Sequence, residues 1–146
     1  MTDRDGIGVA IRGARKDDAD SVRGLYSQLS ADVSNVDRDF QALLADPRAM
    51  CLILEKEEKS VGMIIAYVRP TLSSGRKMVI DELVIDRDLR GQRLGSFLLD
   101  HCISAAKAQA LDSVEVCCSL TKPELHNYYE RAGFKHRMRL YSLFLG

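Results

Sequence analysis

The chain has 146 residues, enough for one folded domain with its own core, and 46% of them are apolar. Lys and Arg number 21, Asp and Glu also number 21, and the formal net charge is zero. That balance excludes the basic footprint of a dedicated nucleic-acid binder, so charge recognition must be local.

The four cysteines, Cys51, Cys102, Cys117 and Cys118, contain no CxxC pair, and the vicinal two are unsuited to an ordinary structural disulfide. They are expected to be small packing residues with free thiols in a reducing compartment. The first five residues are polar and too acidic for a signal peptide. No apolar run approaches the roughly 18–20 residues of a membrane helix, so no membrane association and a cytoplasmic location are expected.

In chain order, residues 9–12 form a short β pattern. Asp17 and Asp18 are good N-caps for a helix with Val22, Leu25, Tyr26 and Leu29 on one face. A second helix begins after Ser34 or Asn35, uses Val36, Phe40, Leu43 and Leu44, and stops at Asp46-Pro47. Residues 50–55 and 61–68 read as strands joined by the charged turn Lys56-Glu57-Glu58-Lys59, a solvated hairpin tip. Residues 77–85 are a third long strand. The strongest helical pattern covers residues 93–110, with Leu94, Leu98, Cys102, Ala105 and Ala106 at helical spacing. Residues 113–119 alternate, placing Val114, Val116 and Cys118 on one side of a strand. Thr121 and Glu124 form a capping box around Pro123, and the helix it opens ends at Gly133. Residues 134–145 read as one or two closing strands. The order predicts an α/β chain, a mixed sheet with helices on both faces and no repeats.

The chemistry concentrates where the third long strand meets the long helix. A helix N-terminus exposes unpaired N–H groups and a partial positive charge, and becomes an anion site at the end of a buried strand. Gly91 and Gly95 allow a phosphate close approach to the backbone, and Arg90 and Arg93 add charge. The P-loop and dinucleotide-binding glycine patterns are both absent.

Residues 80–134 resemble the GNAT superfamily of acyl-CoA N-acyltransferases. The resemblance rests on Leu83-Val84-Ile85 at a strand end, then Arg90-Gly91-Gln92-Arg93-Leu94-Gly95, then Tyr128-Tyr129-Glu130-Arg131-Ala132-Gly133-Phe134. It implies a single domain over residues 1–146, with a splayed, mostly antiparallel sheet of six to seven strands and about four helices. Acetyl-CoA is the implied cosubstrate, bound by Leu83, Val84 and Ile85 along the strand and by residues 90–95 with Ser96 at the turn. The central glycine of the family's turn is Arg93 here. A first helical turn does not demand positive φ, so a non-glycine residue is tolerated, its guanidinium reaching a phosphate or pointing to solvent.

The same resemblance implies an oxyanion hole at the backbone N–H near Val84, and it makes Tyr129 both a cofactor contact and the acid that protonates the departing sulfur. Tyr128, one position off, is read as core. Glu82 is the candidate base, commonly acting through water, while Asp81 faces the other way unless a bulge intervenes. His126 shares a helix face with Tyr129 and is read chiefly as a packing or hydrogen-bonding residue. His101 and His136 stand at no metal-ligand spacing, so no metal is expected. Residues 135–139 alternate basic and apolar side chains, the pattern of a solvated strand face, with contact to the cofactor's 3′-phosphate as the lesser alternative.

Asp32, Asp37 and Asp39, with Asp81 and Glu82, hint at a cationic small-molecule amine as acceptor. A protein or peptide acetyltransferase and a non-catalytic acyl-CoA sensor are the competing readings. A homodimer follows from family habit alone.

Overall fold

The computed structural model describes residues 3–4, 8–30 and 32–146. Most of the N-terminal stretch read for a leader lies outside them. Six strands form one sheet in chain order: β1 (Asp3–Arg4), β2 (Val9–Gly13), β3 (Ala49–Lys56), β4 (Lys59–Thr71), β5 (Gly75–Ile85) and β6 (Ser113–Val116). Every neighbouring pair is antiparallel except β5 and β6, which run parallel. The parallel step requires a crossover, and the long helix α3 (Leu94–Ala108) provides it. Helices α1 (Ala19–Ser27) and α2 (Val36–Ala45) connect β2 to β3, and α4 (Pro123–Arg131) follows β6.

Strand alternation divides the core in two. On the α3 face, Val9, Ile11, Leu54, Ile64, Ile80, Leu98 and Cys102 pack together. On the α1–α2 face, Ile53, Met63, Ile65 and Val84 meet Val22, Leu25 and Phe40. In β3 and β4, consecutive side chains enter opposite cores, which explains their nearly continuous apolar sequence.

One register shift reorganises β5. Ile65 pairs with Glu82 while its neighbour Ala66 pairs with Ile80, leaving Asp81 as the extra residue of a β-bulge. Met78 and Ile80 face the α3 core before the bulge, as do Leu83 and Ile85 after it, so the even-numbered residues change sides. Glu82 and Val84 consequently face α1 and α2.

The first helix starts differently from its sequence reading. A 3-10 turn at Lys16–Asp18 precedes it, and Asp18 makes no side-chain cap to α1. Its carboxylate accepts instead from the Arg15 backbone N–H at 2.7 Å and from both terminal nitrogens of Arg12 at 2.6 and 2.8 Å. Arg12 also pairs with Glu55 on the adjacent strand. Satisfying a buried guanidinium outweighs one helix cap, because charge-assisted bonds are the stronger. Leu29 falls beyond α1 and is half exposed, so it does not extend the buried face.

The closing strand expected over residues 134–145 does not form. These residues carry no regular structure, and Met138, Leu140, Tyr141, Leu143, Phe144 and Leu145 are exposed. Alternation supplies strand propensity, but a strand exists only where a neighbouring backbone pairs with it and apolar side chains find cover. Here the outer edge of β6 stays uncovered by that segment, and the sheet among the described residues has six strands.

The Arg12 bonds hold the Asp18 carboxyl below its ordinary pKa, with the Arg15 N–H assisting against burial. Its contribution is therefore present above the unfolded carboxyl value, near pH 4, and lost as acid titrates through the lower folded value. Asp18→Ala is expected to lower stability by about 3 kcal/mol at pH 7 in urea unfolding, and the gap should narrow in acid.

Candidate active site

The turn after β5 is built from unusual backbone. Asp86 accepts from the Asp88 N–H at 3.0 Å and opens the 3-10 turn Arg87–Leu89. Gly91 then adopts φ +83°, and Arg93, the N-cap of α3, adopts φ +64° and ψ 17°. The tolerance of a non-glycine residue at 93 therefore does not come from a helical backbone. Arg93 occupies the left-handed region itself, where its Cβ crowds the carbonyl. Its side chain is exposed.

The first bond of α3 runs from the Phe97 N–H to the Arg93 carbonyl at 3.1 Å. The N–H groups of Leu94, Gly95 and Ser96 precede it and have no helical acceptor, which is the arrangement that receives an anion. Arg90 is anchored at the strand end, its Nε donating to the Ile85 carbonyl at 3.2 Å. Lys56 also reaches this turn, donating from Nζ to Gln92 Oε1 at 2.9 Å. As part of a charged hairpin tip its proximity was invisible in sequence, since residues 56 and 92 meet only when β3 and β5 join one sheet.

Helix α4 stands beside the same turn. Tyr128 is half-buried against the α3 core, and its hydroxyl lies 3.2 Å from Ser96 Oγ in the first turn of α3. Tyr129 is buried, with its ring edge-on to Tyr128 at 5.1 Å and to Phe134 at 5.6 Å. Burial pushes its phenol up to about 12, with Tyr128 and Cys118 adding to the shift, so it stays protonated at neutral pH. Among the described residues no partner takes the Tyr129 hydroxyl. The helix ends in a Schellman arrangement: Gly133 has φ +98° and bonds to the Glu130 carbonyl, and the Phe134 N–H bonds to the Tyr129 carbonyl at 3.0 Å. This return packs Phe134 on Tyr129.

The capping box at the start of α4 is not made. Lys122 is the N-cap, and the Thr121 hydroxyl pairs with Ser119 Oγ at 2.8 Å, a nearer partner. His126 is spent locally, its Nε2–H donating to the Ser119 carbonyl at 2.7 Å.

Strands β5 and β6 pair from Lys77 with Ser113 to Ile80 with Val116 and then part. Lys77 and Glu115 clasp the paired portion through an ion pair of 2.9 Å. Beyond it, Leu83, Val84 and Ile85 pair only with β4, so one edge of that backbone faces the gap. An extended amide-bearing arm can add there as a further strand. Turn N–H groups, cations and an unpaired strand edge therefore adjoin one another, an arrangement that can receive an anion at the turn and an extended chain along the edge.

Glu82 opens on the other side of the sheet, into a cleft of about 210 Å³ between β4, β5, α1 and α2. Val22, Phe40, Met63 and Ile65 form apolar wall, and Tyr26, Asp32, Asn35 and Asp39 also line it. Solvent reaches Glu82 through the mouth of this cleft. The surrounding protein nevertheless raises its carboxyl pKa, burial first, with the like charge of Asp81 adding and the Tyr26 phenol opposing. The Tyr26 hydroxyl is buried and lacks a hydrogen bond of ordinary geometry, although the Glu82 carboxylate is near enough to raise its pKa further after burial. Sequence reading took Tyr26 only as one residue of a helix face; nothing local to it revealed the carboxylate brought in by β5. Glu82 and Tyr129 therefore belong to opposite faces of the sheet and flank the splay. Among the described residues no group of three His, Cys, Asp or Glu side chains gathers as a metal site.

This combination of splayed sheet, left-handed turn and flanking polar groups defines an acyl-CoA N-acyltransferase fold. Residues 17–134 match the acetyltransferase (GNAT) family model, and the chain belongs to that family of acyltransferases. It is 29% identical over 129 residues to the aminoalkylphosphonate N-acetyltransferase of Salmonella typhimurium, covering 86% of this chain and 84% of that one. Among solved structures, it resembles a transcriptional regulator from Bacillus halodurans with TM-score 0.84, 22% identity and coverage of 94% and 99%. A glucosamine-6-phosphate N-acetyltransferase from Arabidopsis thaliana gives TM-score 0.80, 20% identity and the same coverage, 94% and 99%.

The left-handed Arg93 yields a direct expectation. Arg93→Gly should raise stability by about 1 kcal/mol in thermal or urea unfolding by relieving its backbone. If the guanidinium holds a phosphate, acetyl-CoA affinity measured by calorimetry will fall at the same time.

Proposed function

We propose that the protein is an acetyl-CoA-dependent N-acetyltransferase acting on a small primary amine. The observation that carries this reading is the pairing of a phosphate-ready turn, continued by an open strand edge, with a small carboxylate-bearing cleft across the same strand. A cleft of about 210 Å³ lies below the roughly 300–1,000 Å³ usual for drug-sized ligands and suits a short acceptor better than a peptide.

Acetyl-CoA supplies the activated acyl group. In this reading the N–H groups of Leu94, Gly95 and Ser96, with Gly91, Arg90, Gln92 and Arg93, hold the pyrophosphate, and Lys56 lends a charge. The stretch Leu83-Val84-Ile85 holds the arm through backbone pairing, and because the Val84 N–H is turned to Met63 on β4, a gap-facing N–H beside it, of Leu83 or Ile85, donates to the acyl oxygen as negative charge grows there. Glu82 removes a proton from the incoming amine, directly or through one water. A carboxyl raised above its ordinary value is a better base for that task. Tyr129 gives its phenolic proton to the departing thiolate, its buried ring held edge-on by Tyr128 and Phe134. The free thiols Cys51, Cys102, Cys117 and Cys118 suit a reducing, cytoplasmic setting. No helix among the described residues is long and apolar enough to cross a membrane.

Thiol release from acetyl-CoA with an amine panel tests the reading. Tyr129→Phe should lower kcat by about 100-fold or more while calorimetric acetyl-CoA binding is retained. An unchanged rate removes Tyr129 from the role. Because the base works ionised, kcat/KM should fall as pH drops through the raised Glu82 value, and Glu82→Gln should abolish that limb along with most activity. Saturable acetyl-CoA binding without turnover on any amine or peptide would instead make the chain a sensor.

A further inference from the structure

Beyond Phe134 the chain no longer bonds to itself. Residues 135–146 lie in no helix or strand and make no backbone hydrogen bond among the described residues. Within this arm Met138, Leu140, Tyr141, Leu143, Phe144 and Leu145 are 72–91% exposed. Single apolar side chains on a surface are ordinary, but a contiguous run of large ones marks a surface that another protein covers.

Two features say what covers it. The first is an open strand edge in the same chain. Strand β6 closes the sheet and bonds only to β5, so its outer N–H and C=O groups are a template for one more strand. The second is the side-chain pattern of the arm. Lys135, Arg137 and Arg139 alternate with Met138 and Leu140, which suits a strand covered on one face. Tyr141, Leu143, Phe144 and Leu145 instead put apolar side chains on both sides, the pattern of a strand covered on both faces. The arm's own β6 offers only one such face: Val114 and Val116 join the α3 core, while Glu115 opposite them is paired with Lys77. Folding back within one chain would leave half of that apolar surface in water.

We propose that the arm is a dimer clasp: residues 135–145 of each copy add as a strand to the outer edge of β6 in a second copy of this chain. The exchange is reciprocal about a two-fold axis, so both arms lie in the junction and residues 141–145 gain apolar neighbours on both faces. Extended backbone rises about 3.3 Å per residue, so the arm reaches across roughly 35 Å, enough to cross to the partner. A Tyr or Phe side chain buries roughly 150–250 Å², so Tyr141 and Phe144 of two arms supply roughly 600–1,000 Å². The Met and Leu side chains carry the total toward the about 1,600 Å² of a stable interface.

Analytical ultracentrifugation of the intact chain over a dilution series tests this, and a dimer that dissociates on dilution is expected. Hydrogen exchange should protect the backbone N–H groups of residues 137–145 in the dimer and release them in the monomer. Ser142→Pro removes an N–H from the added strand while keeping every apolar side chain. Because Ser142 is exposed and outside the folded elements, the circular dichroism of this variant should match the parent. Ser142→Pro and Phe144→Asp should each raise the dimer dissociation constant by roughly 30-fold or more, the scale of an interface hot spot. A chain that is monomeric throughout overturns the proposal, and protection of residues 137–145 in that monomer would show closure within one chain. A dimer whose dissociation constant neither substitution moves also overturns it, by placing the interface elsewhere.

Discussion

The bulge at Asp81 is the constraint on which the rest of the site depends. A strand with strict alternation would place Glu82 on the same face as Met78 and Ile80, inside the α3 core, where an unpaired carboxylate is costly to bury. One extra residue opposite Ile65 and Ala66 turns Glu82 toward α1 and α2 and sends Leu83 and Ile85 into the α3 core. The same point marks where β5 and β6 stop pairing. A single local irregularity thus turns Glu82 into the cleft and opens the backbone edge together. Bulges bend and twist the strand that carries them, which is the physical reason the two strands diverge there.

Electrostatics then divides the molecule into two poles, although its net charge is zero. One pole is the turn at the start of α3, where helix N–H groups, Arg90, Arg93 and Lys56 favour an anion. The other is the cleft beneath α1 and α2, where Asp32 and Glu82 favour a cation. Strand β5 runs between them. In the proposed reaction an anionic donor and an amine acceptor approach opposite sides of this strand. The buried Arg12, Asp18 and Glu55 network fixes the start of α1 against β2 and β3, and with it the wall that carries Val22 and Tyr26.

Much of this was legible in the linear chain. The turn at residues 90–95 was visible because glycine and arginine between an apolar strand and an uninterrupted helical pattern have few other uses. Helix α2 was predicted to begin and end where it does, since Phe40, Leu43 and Leu44 keep helical spacing up to Asp46-Pro47. Gly133 ended its helix as expected. The failures share a cause. The capping box at Thr121, the cap at Asp18 and the strand at residues 134–145 were each judged from local preference, and each was decided by a competing partner or by the lack of one.

The sequence by itself therefore determined most of the elements and the family, because periodicity and backbone preference are properties of neighbours along the chain. Only the tertiary structure decided which face Glu82 occupies, that Lys56 attends the turn, that Arg93 is left-handed, and that Tyr26 meets a carboxylate. Those depend on register and long-range packing: one residue of slip in a strand exchanges its two faces, and nothing within a few residues of Asp81 encodes what its partner strand will allow.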